Sequence, residues 1–268
     1  MKKVAVLGSV GTFTHIACEQ FRQLLSEEFE VLFFDSLPLC FKAFKELDYL
    51  ILPIENSIDG FIQRNLDLLF DYKAFVIDSL VLDIDFKLIS NCDSIEDIKK
   101  IYTFYKSANQ CSLFLETIPA TLIETKHNMD SLKCFLANPQ EAGAIIPTHI
   151  DTSSKLIKSN IVDNLDNKTR FFLVSHELKT ELLNKTLVKI LLAVTPSLDH
   201  PGILVDILSV FKEKMVNLSS IMSRPVKTKL GKYHFFLEID TDKKHYKEVL
   251  DYISLLDREY NCCILGVF

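Results

Sequence analysis

A chain of 268 residues is longer than one ordinary domain and points to two. It is 48% hydrophobic and 25% charged, so it can bury a sizeable core, and its formal net charge of −6 gives no basic footprint for a nucleic acid. No apolar run reaches the ~18 residues of a spanning helix, Met1–Gly11 is too short in its apolar part for a signal peptide, and the seven cysteines are scattered without a CxxC pair, so a cytoplasmic protein with reduced thiols, no metal and no membrane partner is expected.

The opening VAVLG (4–8) is an apolar run ending in glycine, and THIACEQFRQLL follows with apolar residues at helical spacing, which predicts a buried strand running into a helix. A strand over 30–35, a helix around Leu37–Leu47 and a strand over 49–55 continue the alternation of an α/β unit. The segment SIDGFIQRNLDLLF places Ile58, Phe61, Ile62, Leu66 and Leu69 on one helical face, with Asn56 or Ser57 suited to cap it and Gly60 inside it.

Residues 75–90 are long, apolar and alternating, and predict a crossover into a second lobe spanning about 80–165. Strands are expected there at 99–104 and 142–147, with a helix around Asn109–Glu116, and TRFFLVS (169–175) returns the chain to the first lobe. Two lobes leave a cleft, the usual place for a small ligand.

The polar segment HELKTELLNK (176–185) marks a boundary between residues 1–180 and 186–268. Beyond it the pattern predicts a strand (186–195), a helix (Pro201–Lys214), strands at 217–226 and 232–240, a helix (Lys243–Leu256) and a last strand (261–268), the βαββαβ order of a ferredoxin-like domain. The edges of such a sheet are pairing surfaces, so a homodimer or homotetramer is expected.

Gly8 and Gly11 flank the first strand-to-helix turn, but a dinucleotide fingerprint would need glycines where Val10 and Phe13 stand. What remains is a helix N-terminus with the hydroxyls of Thr12 and Thr14, suited to a smaller anion such as a carboxylate.

Three segments, GSVGTFTH (8–15), LPIENSIDGFIQRNLDLL (52–69) and NKTRFFLV (167–174), in this order and spacing, resemble those of the prephenate dehydratase family. PGILV (201–205) and NLSSIMSRP (217–225) resemble the ACT regulatory domain of the same family. The resemblance implies an α/β fold: a two-lobed, periplasmic-binding-protein-like catalytic region followed by a ferredoxin-like βαββαβ ACT domain. It also implies decarboxylating dehydration of prephenate to phenylpyruvate without a cofactor, under regulation by L-phenylalanine.

By the same resemblance Thr169 is the catalytic residue, assisting departure of the ring hydroxyl, and Thr12, Thr14, Glu55, Asn56, Ser57, Arg170 and Phe171 bind substrate. Gly202, Ile203, Leu204, Val205, Asn217, Leu218, Ser223 and Arg224 would receive phenylalanine. The sequence departs from the family where FYKS (104–107) replaces a His-Pro pair, HNMDSLK (127–133) a Ser-Thr-Ala segment and IIPT (145–148) an Ala-Ser, and where Ser9 and Met222 replace a proline and a glutamate. Two alternatives stand beside the main reading: a catalytically impaired phenylalanine-binding relative, and an enzyme acting on arogenate.

Overall fold

The computed structural model describes residues 1–180, 185–197, 200–226 and 232–268, so 181–184, within the expected boundary segment, lie outside the described residues. In chain order the first elements are β1 (Lys2–Leu7), α1 (Phe13–Leu25), β2 (Phe29–Phe34), α2 (Leu37–Phe44), β3 (Tyr49–Asn56), β4 (Gly60–Phe61), α3 (Gln63–Asp71) and β5 (Phe75–Asp83). The middle of the chain supplies β6 (Phe86–Ser90), β7 (Lys100–Phe104), α4 (Tyr105–Gln110), α5 (Ser112–Leu115), β8 (Thr121–Thr125), α6 (Asn128–Ala137), β9 (Ala142–Pro147) and β10 (Leu156–Lys158). Then come β11 (Lys168–Ser175), β12 (Leu187–Val194), α7 (Ile203–Glu213), β13 (Asn217–Pro225), β14 (Tyr233–Asp242), α8 (Tyr246–Tyr260) and β15 (Cys262–Val267).

The chain divides into two compact units, one of residues 1–45, 55–61 and 80–171, the other of residues 46–54, 62–79 and 172–268. In the first unit β1 pairs in parallel with β2, Val4 opposite Val31, and the middle of β1 is fully buried. α1 buries Thr14, Ala17, Cys18 and Phe21, the three-and-four spacing of one helical face. The same unit holds a five-stranded sheet of order β10-β6-β9-β7-β8, in which β7, β8 and β9 run parallel and β6 opposes β9. Ile89, Tyr102, Ala144 and Ile146 of that sheet pack with Phe135 of α6.

The second unit contains the expected βαββαβ segment, with antiparallel strand order β13-β14-β12-β15. Alternation along β12 and β14 sends Val188, Ile190, Leu192, Phe235, Leu237 and Ile239 into one core with Ile207 and Phe211 of α7 and Ile253 of α8. Each of these side chains contributes about 1.5–3 kcal/mol by leaving water.

Two expectations are corrected. The helix expected over 57–69 begins only at Gln63, because the chain first turns back on itself: β4 pairs with β3, Glu55 opposite Phe61 and Asn56 opposite Gly60. Gly60 has φ +73°, a left-handed turn conformation that glycine adopts without penalty, and so it is not a helix-interior glycine. The helix expected around 109–116 is broken at Cys111 into α4 and α5. Among the described residues no helix is long and apolar enough to cross a membrane.

Candidate active site

The expected site residues of the ENS and TRF segments converge within the first unit. Asn56, the last residue of β3, is 7% exposed and its amide is fixed from both ends. Its Oδ1 accepts the backbone N–H groups of Ile58 (2.9 Å) and Asp59 (3.1 Å), which are donors only, so Nδ2 faces the other way. There Nδ2 donates to Asn167 Oδ1 (2.8 Å), Thr169 Oγ1 (3.0 Å) and Lys168 O (3.1 Å). The Thr169 hydroxyl is therefore an acceptor toward Asn56, and no described residue accepts its proton. That proton is available to a ligand.

Ser57 ties the same two segments together. Its backbone N–H donates to Lys168 O (2.8 Å), its hydroxyl donates to Asp166 O (2.9 Å), and it accepts the N–H of Lys168 (2.9 Å). Glu55 pairs with Arg170 at 3.0 Å, and the Arg170 guanidinium lies over the Phe61 ring at 5.4 Å, so the β3–β4 hairpin and β11 share a charge pair and a cation–π contact. Phe171 is 2% exposed and gives its ring to the core.

Sequence reasoning quoted Asn167 within its motif but gave it no role. It is 1% exposed, accepts from Asn56 and donates to Gln110 Oε1 at 3.0 Å, so an amide chain runs from α4 to Thr169. No local pattern announces such a chain, since Asn56 and Asn167 are 111 positions apart.

At the α1 N-terminus Thr12 is the cap. Its hydroxyl donates to Ser9 O (2.9 Å) and accepts the N–H of His15 (3.4 Å), while Thr14 is buried. Burial holds the His15 imidazole below its ordinary range against the opposing pull of Glu19, and its Nδ1 accepts the Gly11 N–H at 3.3 Å. Gly11 has φ +88°, and a Cβ there would meet Ile150 and the Met129 sulfur at 2.9 and 3.0 Å, while its carbonyl meets His149 Nε2 at 2.9 Å. The Thr12 loop thus leans on the second sheet and the start of α6.

Within FYKS and HNMDSLK the structure fixes two hydroxyls. Ser107 and Ser131 are fully buried: Ser107 Oγ lies 2.8 Å from Asn128 Oδ1, and Ser131 Oγ lies 2.8 Å from Thr125 Oγ1. They pin the first turns of α4 and α6 to the ends of β7 and β8.

The expected effector residues lie in the second unit. Gly202 caps α7, Ile203 and Leu204 join the core, Val205 is exposed, and Leu218 packs against the same core from β13. Asn217 Nδ2 lies 3.4 Å from Asp240, and Ser223 is exposed. The Arg224 guanidinium is held by both oxygens of Asp67 (3.0 and 2.7 Å) and by Gln63 Oε1 (2.6 Å) of α3.

Residues 4–179 match the family model described as prephenate dehydratase. The chain belongs to the prephenate dehydratase family. A bifunctional chorismate mutase/prephenate dehydratase of Aquifex aeolicus is 30% identical over 90% of this chain, which spans 66% of that relative. Among solved structures, the prephenate dehydratase of Staphylococcus aureus superposes with a TM-score of 0.80 at 29% identity over the whole of both chains. That of Arthrobacter aurescens, in complex with L-Phe, gives 0.83 at 27% identity over 99% of this chain and 89% of its own. Prephenate dehydratases therefore resemble this chain in sequence and share its fold.

Proposed function

We propose that this chain converts prephenate to phenylpyruvate, with Thr169 as the residue that assists departure of the ring hydroxyl. The C–C bond to the ring carboxylate breaks and releases CO2, its electron pair enters the ring, and the C–O bond to the hydroxyl breaks at the far side. The hydroxide leaves as water, with the proton drawn ultimately from solvent. Aromatisation supplies the driving force, and the protein has to orient the dianion and donate to the leaving oxygen. The observation that carries the reading is the free proton of Thr169, whose oxygen is held in place by Asn56. A threonine hydroxyl is a weak acid, so it acts by positioned hydrogen bonding.

Ser57, Glu55 and Arg170 then shape the hairpin that carries Asn56, while Thr12 and Thr14 present the α1 N-terminus to a substrate carboxylate and Phe171 backs the ring from the core. We assign catalysis to residues 1–180 and regulation to an ACT domain at 186–268, these being functional segments of a cytoplasmic homo-oligomer. L-Phenylalanine is the effector in this reading, received at Gly202–Val205, Asn217, Leu218, Ser223 and Arg224. The L-Phe complex of the Arthrobacter aurescens relative supports it.

The test is phenylpyruvate formation by the purified chain given prephenate, with and without phenylalanine and with no metal added. Turnover that phenylalanine changes is the expected outcome. Turnover with arogenate alone would move the substrate assignment, and phenylalanine binding without any turnover would make the chain a regulatory relative.

A further inference from the structure

A lysine is costly to bury unless something meets its charge. Lys87, the second residue of β6, is 7% exposed, and among the described residues its side chain has no hydrogen bond or ion pair. Its position in the sheet says where its ammonium goes. Lys87 stands directly opposite Ile146 of β9, and strand alternation puts it on the same face as Ile89. Ile89 and Ile146 both pack with Phe135 and Leu132 of α6 and with Ile150. The lysine stem therefore leaves the sheet on the face that α6 covers.

Lys87 is also at one end of that face. Phe86 opposes Pro147, so β6 starts where β9 stops, and because β7, β8 and β9 are parallel their C-terminal ends share this edge. It is the edge at which parallel α/β sheets take ligands. α6 begins there as well: His127 caps it, its O accepting the N–H groups of Asp130 and Ser131 and its Nδ1 also accepting that of Asp130 at 3.2 Å, with the Asp130 carboxylate drawn back to His127 Nε2 at 3.4 Å, while Asn128 and Met129 precede the first intrahelical bond and leave their N–H groups for an outside acceptor. Met129 and Ile150 are the side chains against which Gly11 leans. An ammonium without a protein partner, two N–H groups left over by the His127 cap and the α1 loop thus meet at one place, and a carboxylate is the ligand that satisfies them.

The distance to Thr169 lies within the reach of one small molecule. Ile84 N–H donates to Asn167 O at 2.8 Å. Lys87 lies three residues beyond Ile84 and Thr169 two beyond Asn167 in the opposite direction, so at ~3.3 Å per extended residue, with about 5 Å between the bonded segments, their Cα atoms are within roughly 22 Å. With both side chains turned inward, the gap suits a six-membered ring carrying a short acid side chain.

We propose that Lys87 anchors the substrate carboxylate that survives into the product, the one on the ring's side chain, with the hydroxyl-bearing end of the ring directed to Thr169. An ammonium paired with the other carboxylate would stabilise the ground state of the group that must leave as CO2 and slow the reaction. The inference deepens the reaction assigned above and rests on it.

The test uses Lys87→Met, which keeps the stem and removes the charge, and Lys87→Arg, which keeps the charge. Two constants are read in the full chain: KM for prephenate, and Kd for phenylpyruvate by calorimetry, which needs no turnover. Lys87→Met should raise both by roughly ten- to a hundredfold, the size of one charge-assisted hydrogen bond, with kcat little changed and Tm not lowered, and Lys87→Arg should recover most of the loss. Wild-type values of both constants in Lys87→Met overturn the proposal, as does a fall in Tm with unchanged binding, which would make Lys87 a packing residue. If Lys87→Met does not fold, Lys87→Gln takes its place with the same readouts. A wild-type chain that never turns over prephenate would sink the reaction instead, and phenylpyruvate binding would still decide Lys87.

Discussion

Thr169 and Asn56 divide one task between them. The amide of Asn56 can give Thr169 only an N–H, because its oxygen is taken by the N–H groups of Ile58 and Asp59, and this fixes which way the hydroxyl proton points. We expect Thr169→Val, which keeps the β-branched shape, to lower kcat by roughly 10²- to 10⁴-fold, while Thr169→Ser retains most of it. Equal activity in the valine variant would remove the hydroxyl from the mechanism. Asn56→Asp is a sharper probe, since it keeps the size but turns two N–H donors into an oxygen facing Asn167 Oδ1, Lys168 O and Thr169. It should lower kcat and also reduce unfolding free energy by about 1–3 kcal/mol, because buried acceptors lose their donor. Urea titration beside the activity assay measures both, and an Asn56→Asp chain with wild-type kcat would contradict the assigned geometry. Thr169 and Asn56 could be singled out from their motifs, whereas the roles of Asn167 and Gln110 could not, since they consist of hydrogen bonds between distant segments.

At the scale of elements, periodicity served well where one face of an element decides its partner. The strands at 100–104, 142–147 and 168–175 and all six elements after residue 186 were legible, because alternation or helical spacing there mirrors a buried face. The hairpin at 55–61 was not, since Ile58 and Phe61 mimic a helical stripe while Gly60 allows the turn that breaks it. Nor were β8, whose residues are mostly exposed, and α6, which starts in a segment read only as a departure. Asp67 of α3 holds Arg224 of β13 with both carboxylate oxygens, and this bond keeps the Arg224 pKa above its ordinary value. Asp67→Ala should cost about 1–3 kcal/mol, the worth of hydrogen bonds to a charged group. The Arg224→Ala, Asp67→Ala double variant should lose much less than the two single losses summed, and additive losses in that cycle would show that the pair is not coupled.

For the whole molecule, the α/β class and the βαββαβ segment followed from the order of elements, but the two compact units did not, since the second gathers residues 46–54 and 62–79 with 172–268 through contacts that no local pattern reveals. The first unit buries three thiols, and the second half-buries Cys262. Desolvation pushes Cys18, Cys40 and Cys111 of the first unit and Cys262 of the second from an ordinary 9.0 up to about 12. A thiol that stays protonated when folded and ionises near 9 when unfolded favours the fold fully below pH 9, and its contribution is lost as pH rises from 9 toward about 12. The urea midpoint should therefore fall steadily above pH 9. Lysines and tyrosines also titrate in this range, so the informative comparison is with Cys40→Ala. That variant starts from a lower midpoint, because a fully buried side chain is truncated, but its midpoint should fall less steeply between pH 9 and 11 than that of the wild type. Parallel curves for the two chains would show that Cys40 ionises alike in the folded and unfolded states and would remove its thiol as a source of the alkaline loss.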